Sequence, residues 1–214
     1  MEISDEDKKF LELYGDSSYE KPSVTVDAVI LRLVDKETNN YRKLPEKKLQ
    51  VYLLNRKYPP FKDKFAIVGT FIDLNNELAK TMKLCVESKV GLGNFYYEQL
   101  YTFGEKQRDP RTRILSVSYM LLTNQSKLHG GEWFDIDLNN GKIKLESFDN
   151  GYRSEREVEI ILTSGDTVLK NNLIVKSEKK GIERVSEVEV VNSDIAFDHI
   201  KIIYYALNRL KNKL

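Results

Sequence analysis

A chain of 214 residues with 41% hydrophobic content can bury a full-sized core, as one large domain or one domain with a small appendage. Its 34 basic and 33 acidic residues leave a net charge of +1, which removes any general electrostatic pull toward nucleic acid or an acidic membrane. No apolar run approaches the roughly 18 residues needed to span a bilayer, and a single cysteine, Cys85, rules out an internal disulfide.

The start, Met1 to Lys9, is acidic and lacks the basic-then-apolar order of a signal peptide, so the chain reads as cytoplasmic. With two histidines and one cysteine, a zinc site is not expected. Apolar Phe10, Leu11 and Leu13 predict a short helix over Ser4–Tyr14, followed by a polar connector to Pro22. Alternation from Val24 to Leu31 predicts a strand to about Val34, and the charged tract Asp35–Lys48 a loop between paired strands. The run Leu49–Asn55 fits a strand buried on both faces, ended by Pro59 and Pro60, and Phe65–Phe71 is the next strand. Leu78, Met82, Val86 and Val90 recur every four residues and predict an amphipathic helix closed by Gly91. Strands follow at Glu98–Phe103, Arg113–Leu122 and Trp133–Ile136. From Gly141 to Val191, turn residues punctuate short alternating strands, an antiparallel extension. A last helix carries Ile202, Tyr205, Ala206 and Leu210, with Ser193 or Asp194 as its N-cap. The expected division is 1–22 helix and connector, 23–140 core, 141–192 β-rich extension and 193–214 a helix packing on the core.

The segment Gly69 to Leu92 resembles a Nudix box with its frame kept and its acidic letters replaced. A second segment carries more weight. Glu98-Gln99-Leu100-Tyr101-Thr102-Phe103-Gly104, then Arg108-Asp109-Pro110-Arg111-x-Arg113, then an apolar pair and Ser116-Val117-x-Tyr119, resembles a signature of one Nudix (MutT-like) subgroup. That subgroup contains ADP-ribose pyrophosphatase-like enzymes and Nudix-related transcriptional regulators. Val26-Asp27-Ala28-Val29, Leu53-Leu54-x-Arg56-x-Tyr58-Pro59-Pro60-Phe61 and Ala196-Phe197-Asp198-His199 are similar too, so the resemblance runs from Val24 to about Leu214. It implies an α/β fold, a Nudix-type α/β/α sandwich with a mixed sheet, here with an antiparallel β extension and a C-terminal helix. The regulators continue past a Leu-Lys-x-Lys-Leu ending into a winged-helix domain; the sequence in hand stops there, as a stand-alone sensor or as half of a longer protein.

In the family frame Gly69 and Thr70 stand at the glycine pair and Asn76 at the loop glutamate. Leu84 and Cys85 stand at Arg-Glu, Ser88 and Lys89 at the Glu-Glu pair, and Gly91 closes the box. A Nudix hydrolase uses those carboxylates to hold magnesium or manganese, because hard cations need oxygen ligands. None of the four helix positions keeps one, and Lys89 puts a cation where the metal would sit, so no metal, cofactor or catalytic residue is expected. The expected ligand-binding residues are Arg108, Arg111 and Arg113 on the turn held by Pro110, with Arg56, Arg32 and Lys89, since guanidinium and ammonium groups grip phosphate oxygens. The plainer alternative makes Arg111 and Arg113 ion-pair partners of Asp109 or Glu98, Lys89 a solvated side chain and Cys85 a packing residue.

The function expected is a catalytically inactive domain that binds a nucleotide sugar or other phosphorylated metabolite, ADP-ribose-like, as a sensor or regulator. One alternative is a pyrophosphatase with metal ligands borrowed from Asp73, Glu77 or Glu98; another is an interaction scaffold with a vestigial pocket. The resemblance further implies a homodimer, with Val24–Leu31 and the last helix as interface material. No membrane partner is expected, nor nucleic acid by this chain alone.

Overall fold

The structure, a computed structural model, describes residues 4–13, 20–35 and 47–213; most of the expected 35–48 loop and part of the first connector lie outside them. In chain order the elements are α1 (Asp5–Leu13), β1 (Ser23–Asp35), β2 (Lys47–Asn55), β3 (Phe65–Ala66), β4 (Val68–Phe71) and α2 (Leu78–Val90). There follow β5 (Tyr96–Phe103), β6 (Ile114–Leu122), β7 (Gly131–Phe148), β8 (Gly151–Ser164), β9 (Thr167–Lys180), β10 (Glu183–Ser193) and α3 (His199–Lys211). One mixed sheet runs β10-β9-β8-β7-β2-β1-β6-β5, with β3 added on β2 and β4 on β1. Only β1 and β6 run parallel among the described pairs; the others are antiparallel.

Side chains alternate across a strand, and β1 uses both faces. Val26, Ala28 and Ile30 face α2, packing with Met82, Cys85, Val86 and Val90. Val29 and Leu31 face α3, packing with Ile200, Ile203 and Ala206. This is the expected α/β/α sandwich. The helix α3 touches β5 and β10, strands at opposite ends of the sheet, so the sheet wraps around it. Gly91 closes α2 with φ 70°, and its N–H donates to the Glu87 carbonyl, a left-handed cap that suits glycine.

Three expectations change. The short strands of the extension are long ones: β7 is a single strand of 18 residues that crosses the expected boundary at 140/141. The last helix begins at His199, since Ser193 and Asp194 are held by Asn171 instead: the Ser193 hydroxyl donates to Asn171 Oδ1 at 2.8 Å, and the Asp194 N–H does so at 3.2 Å. The apolar material assigned to a dimer interface is spent within the chain, since Val26–Leu31, Ile202 and Ile203 are buried in its own core. Among the described residues no helix is long and apolar enough to cross a membrane.

Candidate functional site

Beneath the start of α3, the sheet face that carries Val29, Leu31 and Met120 further along turns polar. Thr25 and Asp27 of β1 pair in register with Ser116 and Ser118 of the parallel strand β6, and Asp27 also faces Gly69 of β4. All four hydroxyl- and carboxyl-bearing side chains are buried. Ser116 Oγ and Thr25 Oγ1 both donate to Asp27 Oδ2, the second at 3.2 Å, and the two serine hydroxyls lie 3.1 Å apart. Burial pushes the Asp27 carboxyl above its ordinary value, while the Ser116 bond, the Arg108 charge, Thr25 and Lys89 pull it back. Gly69 is required beside it: a Cβ there would stand 2.0 Å from Asp27 Oδ1 and 3.0 Å from the Val26 carbonyl oxygen.

Above this floor is a cavity of about 210 Å³, and beside Gly69, Thr70 and Phe71 of β4 four further segments deliver its wall: Arg56 after β2, Lys89 at the end of α2, Arg108, Asp109 and Arg111 between β5 and β6, and Phe197 and His199 at the start of α3. Arg108 is buried and donates from Nε and Nη2 to both carboxylate oxygens of Asp198, at 2.9 and 2.7 Å. Arg111 makes the same kind of fork with Asp109, at 3.0 and 2.8 Å. Burial raises the Asp109 carboxyl, but the Arg111 side-chain and backbone donors and the charges of Arg111 and Arg108 outweigh it and hold the group below its ordinary range. Arg56 is fixed by donating to the Pro60 carbonyl at 2.9 Å; burial, then the neighbouring Arg111 charge, lowers its pKa. That crowding of like charges is relieved by an anion between them.

Phe197 has φ 54°, in the left-handed region a bulky residue rarely enters, and so its ring lies 4.8 Å from the Arg56 guanidinium and 5.5 Å from that of Arg111. Phe71 lies 5.5 Å from Arg111 as well. The rings line the same cations that line the cavity. His199 accepts the Ile67 N–H on Nδ1 at 3.3 Å, and burial pushes its pKa down to about 4, so the ring is neutral at pH 7. Counting the wall alone, Arg56, Lys89, Arg108 and Arg111 face Asp27 and Asp109, an excess of two positive charges; Asp198, behind Arg108, takes one of them.

Of the box positions, Lys89 lines the cavity and its Nζ donates to the Gly69 carbonyl at 2.5 Å. Cys85 is buried in the α2 core, where burial pushes its thiol up. Leu84 is exposed, Ser88 Oγ donates to the Cys85 carbonyl at 3.2 Å, and the Asn76 side chain donates to Asp73 at 2.6 Å. Among the described residues no group of three or more His, Cys, Asp or Glu is placed to hold a metal ion. The structure thus brings Arg56, Lys89, Arg108 and Arg111 together. Arg32 and Arg113 are elsewhere: Arg32 lies 4.1 Å over the Trp133 ring and donates to Gln50, and Arg113 is exposed, its carbonyl accepting the Ser23 N–H. Asp27, Phe197, Asp198 and His199 were not among the expected ligand residues. A carboxylate inside the alternating run Val26–Ile30, and two serines inside the apolar run Ile114–Leu122, were the available signal.

A larger cleft of about 630 Å³ on the outer strands is lined by Lys144, Glu155, Lys176 and Glu187. Its charges pair across strands, Lys144 with Glu155 at 3.3 Å and Arg153 with Glu178 at 3.0 Å, and its four basic residues are outnumbered by five acidic ones, so it offers no surplus of cations. The smaller cavity is the better-built site.

No family model matches the chain. Over 122 residues it is 30% identical to an ADPR responsive transcriptional repressor, NtrR, of Acinetobacter baylyi, covering 55% of this chain and 44% of the repressor. Over 125 residues it is 26% identical to an ADP-ribose pyrophosphatase of Methanocaldococcus jannaschii, covering 56% of this chain and 65% of that protein. The matches therefore span only about half to two thirds of those relatives. Two solved structures share the fold. A MutT/nudix family protein from Enterococcus faecalis has a TM-score of 0.63 at 24% identity, over 97% of this chain and 69% of that one. The NUDIX domain of Shewanella oneidensis NrtR, crystallised with ADP ribose, has a TM-score of 0.55 at 20% identity, over 97% and 99%.

Proposed function

From a chain with the Nudix (MutT-like) fold, whose neighbours in sequence and structure are Nudix proteins, we propose a sensor that binds an ADP-ribose-like nucleotide sugar in the basic cavity without cleaving it. The observation that carries this reading is Lys89. Its ammonium lies against the Gly69 carbonyl at a position where the family pattern has a glutamate. The donor set does not fit a divalent ion there: an ammonium, a buried thiol held in its protonated form, an exposed leucine and a serine already bonded to backbone offer no hard, anionic oxygen. Lys89 instead supplies, as a point charge, the positive partner a diphosphate needs.

The rest of the wall supports the same ligand. A pyrophosphate diester carries two negative charges, and the wall carries a net positive charge whose groups are held in place before any ligand arrives. Arg108 and Arg111 are pinned by Asp198 and Asp109, Arg56 by the Pro60 carbonyl, so little side-chain entropy is lost on binding. The similarity to an ADPR responsive repressor points to the same ligand class and to regulation. The similarity to a pyrophosphatase favours the second reading, hydrolysis with borrowed ligands. Against it, Asp73, Glu77 and Glu98 do not line the cavity, and Glu98 is engaged by Arg209 and Lys213 at 3.0 and 2.6 Å. Dimerisation, implied by the resemblance, must use surfaces other than those first assigned to it.

The test is calorimetry with ADP-ribose, with magnesium and again with a chelator. The sensor reading expects equal affinity in both, and a loss of roughly tenfold or more in Lys89→Ala from one charge-assisted contact. Binding that needs the metal overturns it.

A further inference from the structure

Two polar atoms of the cavity wall have no hydrogen-bond partner among the described residues. Asp27 and His199 are each 7% exposed, and both line the cavity. Thr25 and Ser116 donate to the same oxygen of Asp27, Oδ2, which leaves Oδ1 without a hydrogen bond among the described residues. A Cβ on Gly69, also in the lining, would stand 2.0 Å from that oxygen, so the glycine makes the room it occupies. On His199 the Ile67 N–H donates to Nδ1, which assigns the ring proton to Nε2, and Nε2 has no acceptor among the described residues. Neither atom is among the fully buried polar atoms without a partner, so both open onto the cavity, where a ligand can bond them.

The chemistry of the pair differs from the rest of the wall. Arg56, Lys89 and Arg111 suit anionic oxygens. A carboxyl oxygen and a neutral N–H donor lining one cavity suit a group that both donates and accepts, and a phosphate diester oxygen cannot donate. An alcohol can do both: its O–H donates to Asp27 Oδ1 and its lone pair accepts from His199 Nε2–H. We propose that Asp27 and His199 form a hydroxyl-reading subsite, so that the cavity selects phosphorylated ligands with a sugar hydroxyl next to the phosphates over those without one. The proposal rests on the nucleotide-sugar reading above and adds the feature that distinguishes the sugar end of the ligand. A subsite built to bond a hydroxyl rejects the analogue that lacks it, because its own buried atoms are then left unpaired.

The probes are ADP-ribose and the β-methyl ester of ADP, which keeps the same diphosphate diester charge but has a methyl group in place of the distal sugar. Calorimetry on the full chain at pH 7 is expected to give wild type at least a tenfold preference for ADP-ribose, about the worth of one buried hydrogen bond. In His199→Asn, whose side-chain oxygen can still accept the Ile67 N–H while the Nε2 donor is gone, that preference falls toward one. Equal wild-type affinities, or a His199→Asn variant that keeps the full preference, overturn the subsite while leaving the diphosphate reading intact. Failure of wild type to bind either probe overturns both. The wild-type comparison requires no variant, so the proposal remains testable even if His199→Asn does not fold.

Discussion

Replacing Asp198 by alanine strands a cation. Arg108 is only 5% exposed at its side chain and Asp198 13%, and the two share a two-pronged bond at 2.9 and 2.7 Å. Removing one partner of a buried pair typically costs about 3–5 kcal/mol, since the other charge stays out of water without compensation. Helix capping adds little, because Asp198 occupies the N-cap of α3 without a side-chain cap bond. For a chain of this length the loss corresponds to a melting temperature lower by roughly 10 °C. It should be read at pH 7 by urea denaturation and by thermal melting. The variant has a second signature. Asp198 competes with any phosphate for Arg108, so the freed guanidinium should bind pyrophosphate more tightly than in wild type. A ligand at a hundredfold its Kd returns about 2.7 kcal/mol to the folded state. A loss below about 1 kcal/mol, or a variant that pyrophosphate does not stabilise, would refute the picture of Arg108 as a buried, internally neutralised phosphate donor.

Two further outcomes follow from the same site. His199 has a folded pKa of about 4 against 6.5 for the free side chain, lowered mainly by burial, with Asp198 opposing and Arg108 and Arg56 assisting. The unfolded chain therefore binds a proton that the folded chain refuses between these values, so the stability is complete above pH 6.5 and is lost as pH falls toward 4. That amounts to about 3 kcal/mol, which His199→Asn removes from the difference between wild-type and variant pH profiles; parallel profiles would contradict it. Gly69→Ala forces a Cβ to within 2.0 Å of Asp27 Oδ1 and should destabilise by about 1–3 kcal/mol in urea, with ADP-ribose affinity falling too; an unaffected midpoint would show that the Asp27 floor yields freely.

Parts of this site could be read directly from the residues. Met82, Val86 and Val90 recur at the spacing that builds α2, and that spacing places Lys89 beside Gly69 of β4. The arginine-rich turn and the Arg56 segment meet at one cavity. Arg32 could not be placed this way. It follows Asp27 by five residues on an extended strand, roughly 16 Å along β1, and so sits at the far end from the floor. The long outer strands were hidden for a different reason. Their distal halves carry cross-strand ion pairs such as Arg153 with Glu178, where the alternating apolar signal would otherwise be. The start of α3 was misread because Ser193 and Asp194 have the chemistry of a cap but spend it on Asn171 and on the Lys170 N–H, which reaches Asp194 at 2.7 Å. Phe197 and His199 reach the cavity, and Asp198 the Arg108 guanidinium behind its wall, through the turn before α3, and no local pattern announces a left-handed phenylalanine.

Phosphorus NMR of ADP-ribose with an equimolar amount of the protein and excess magnesium puts the central claim to the most direct trial. The expected spectrum has both diphosphate resonances shifted by binding and unchanged in total intensity over hours. Growth of the monophosphate resonances of AMP and ribose 5-phosphate, dependent on magnesium and on the protein, would contradict it.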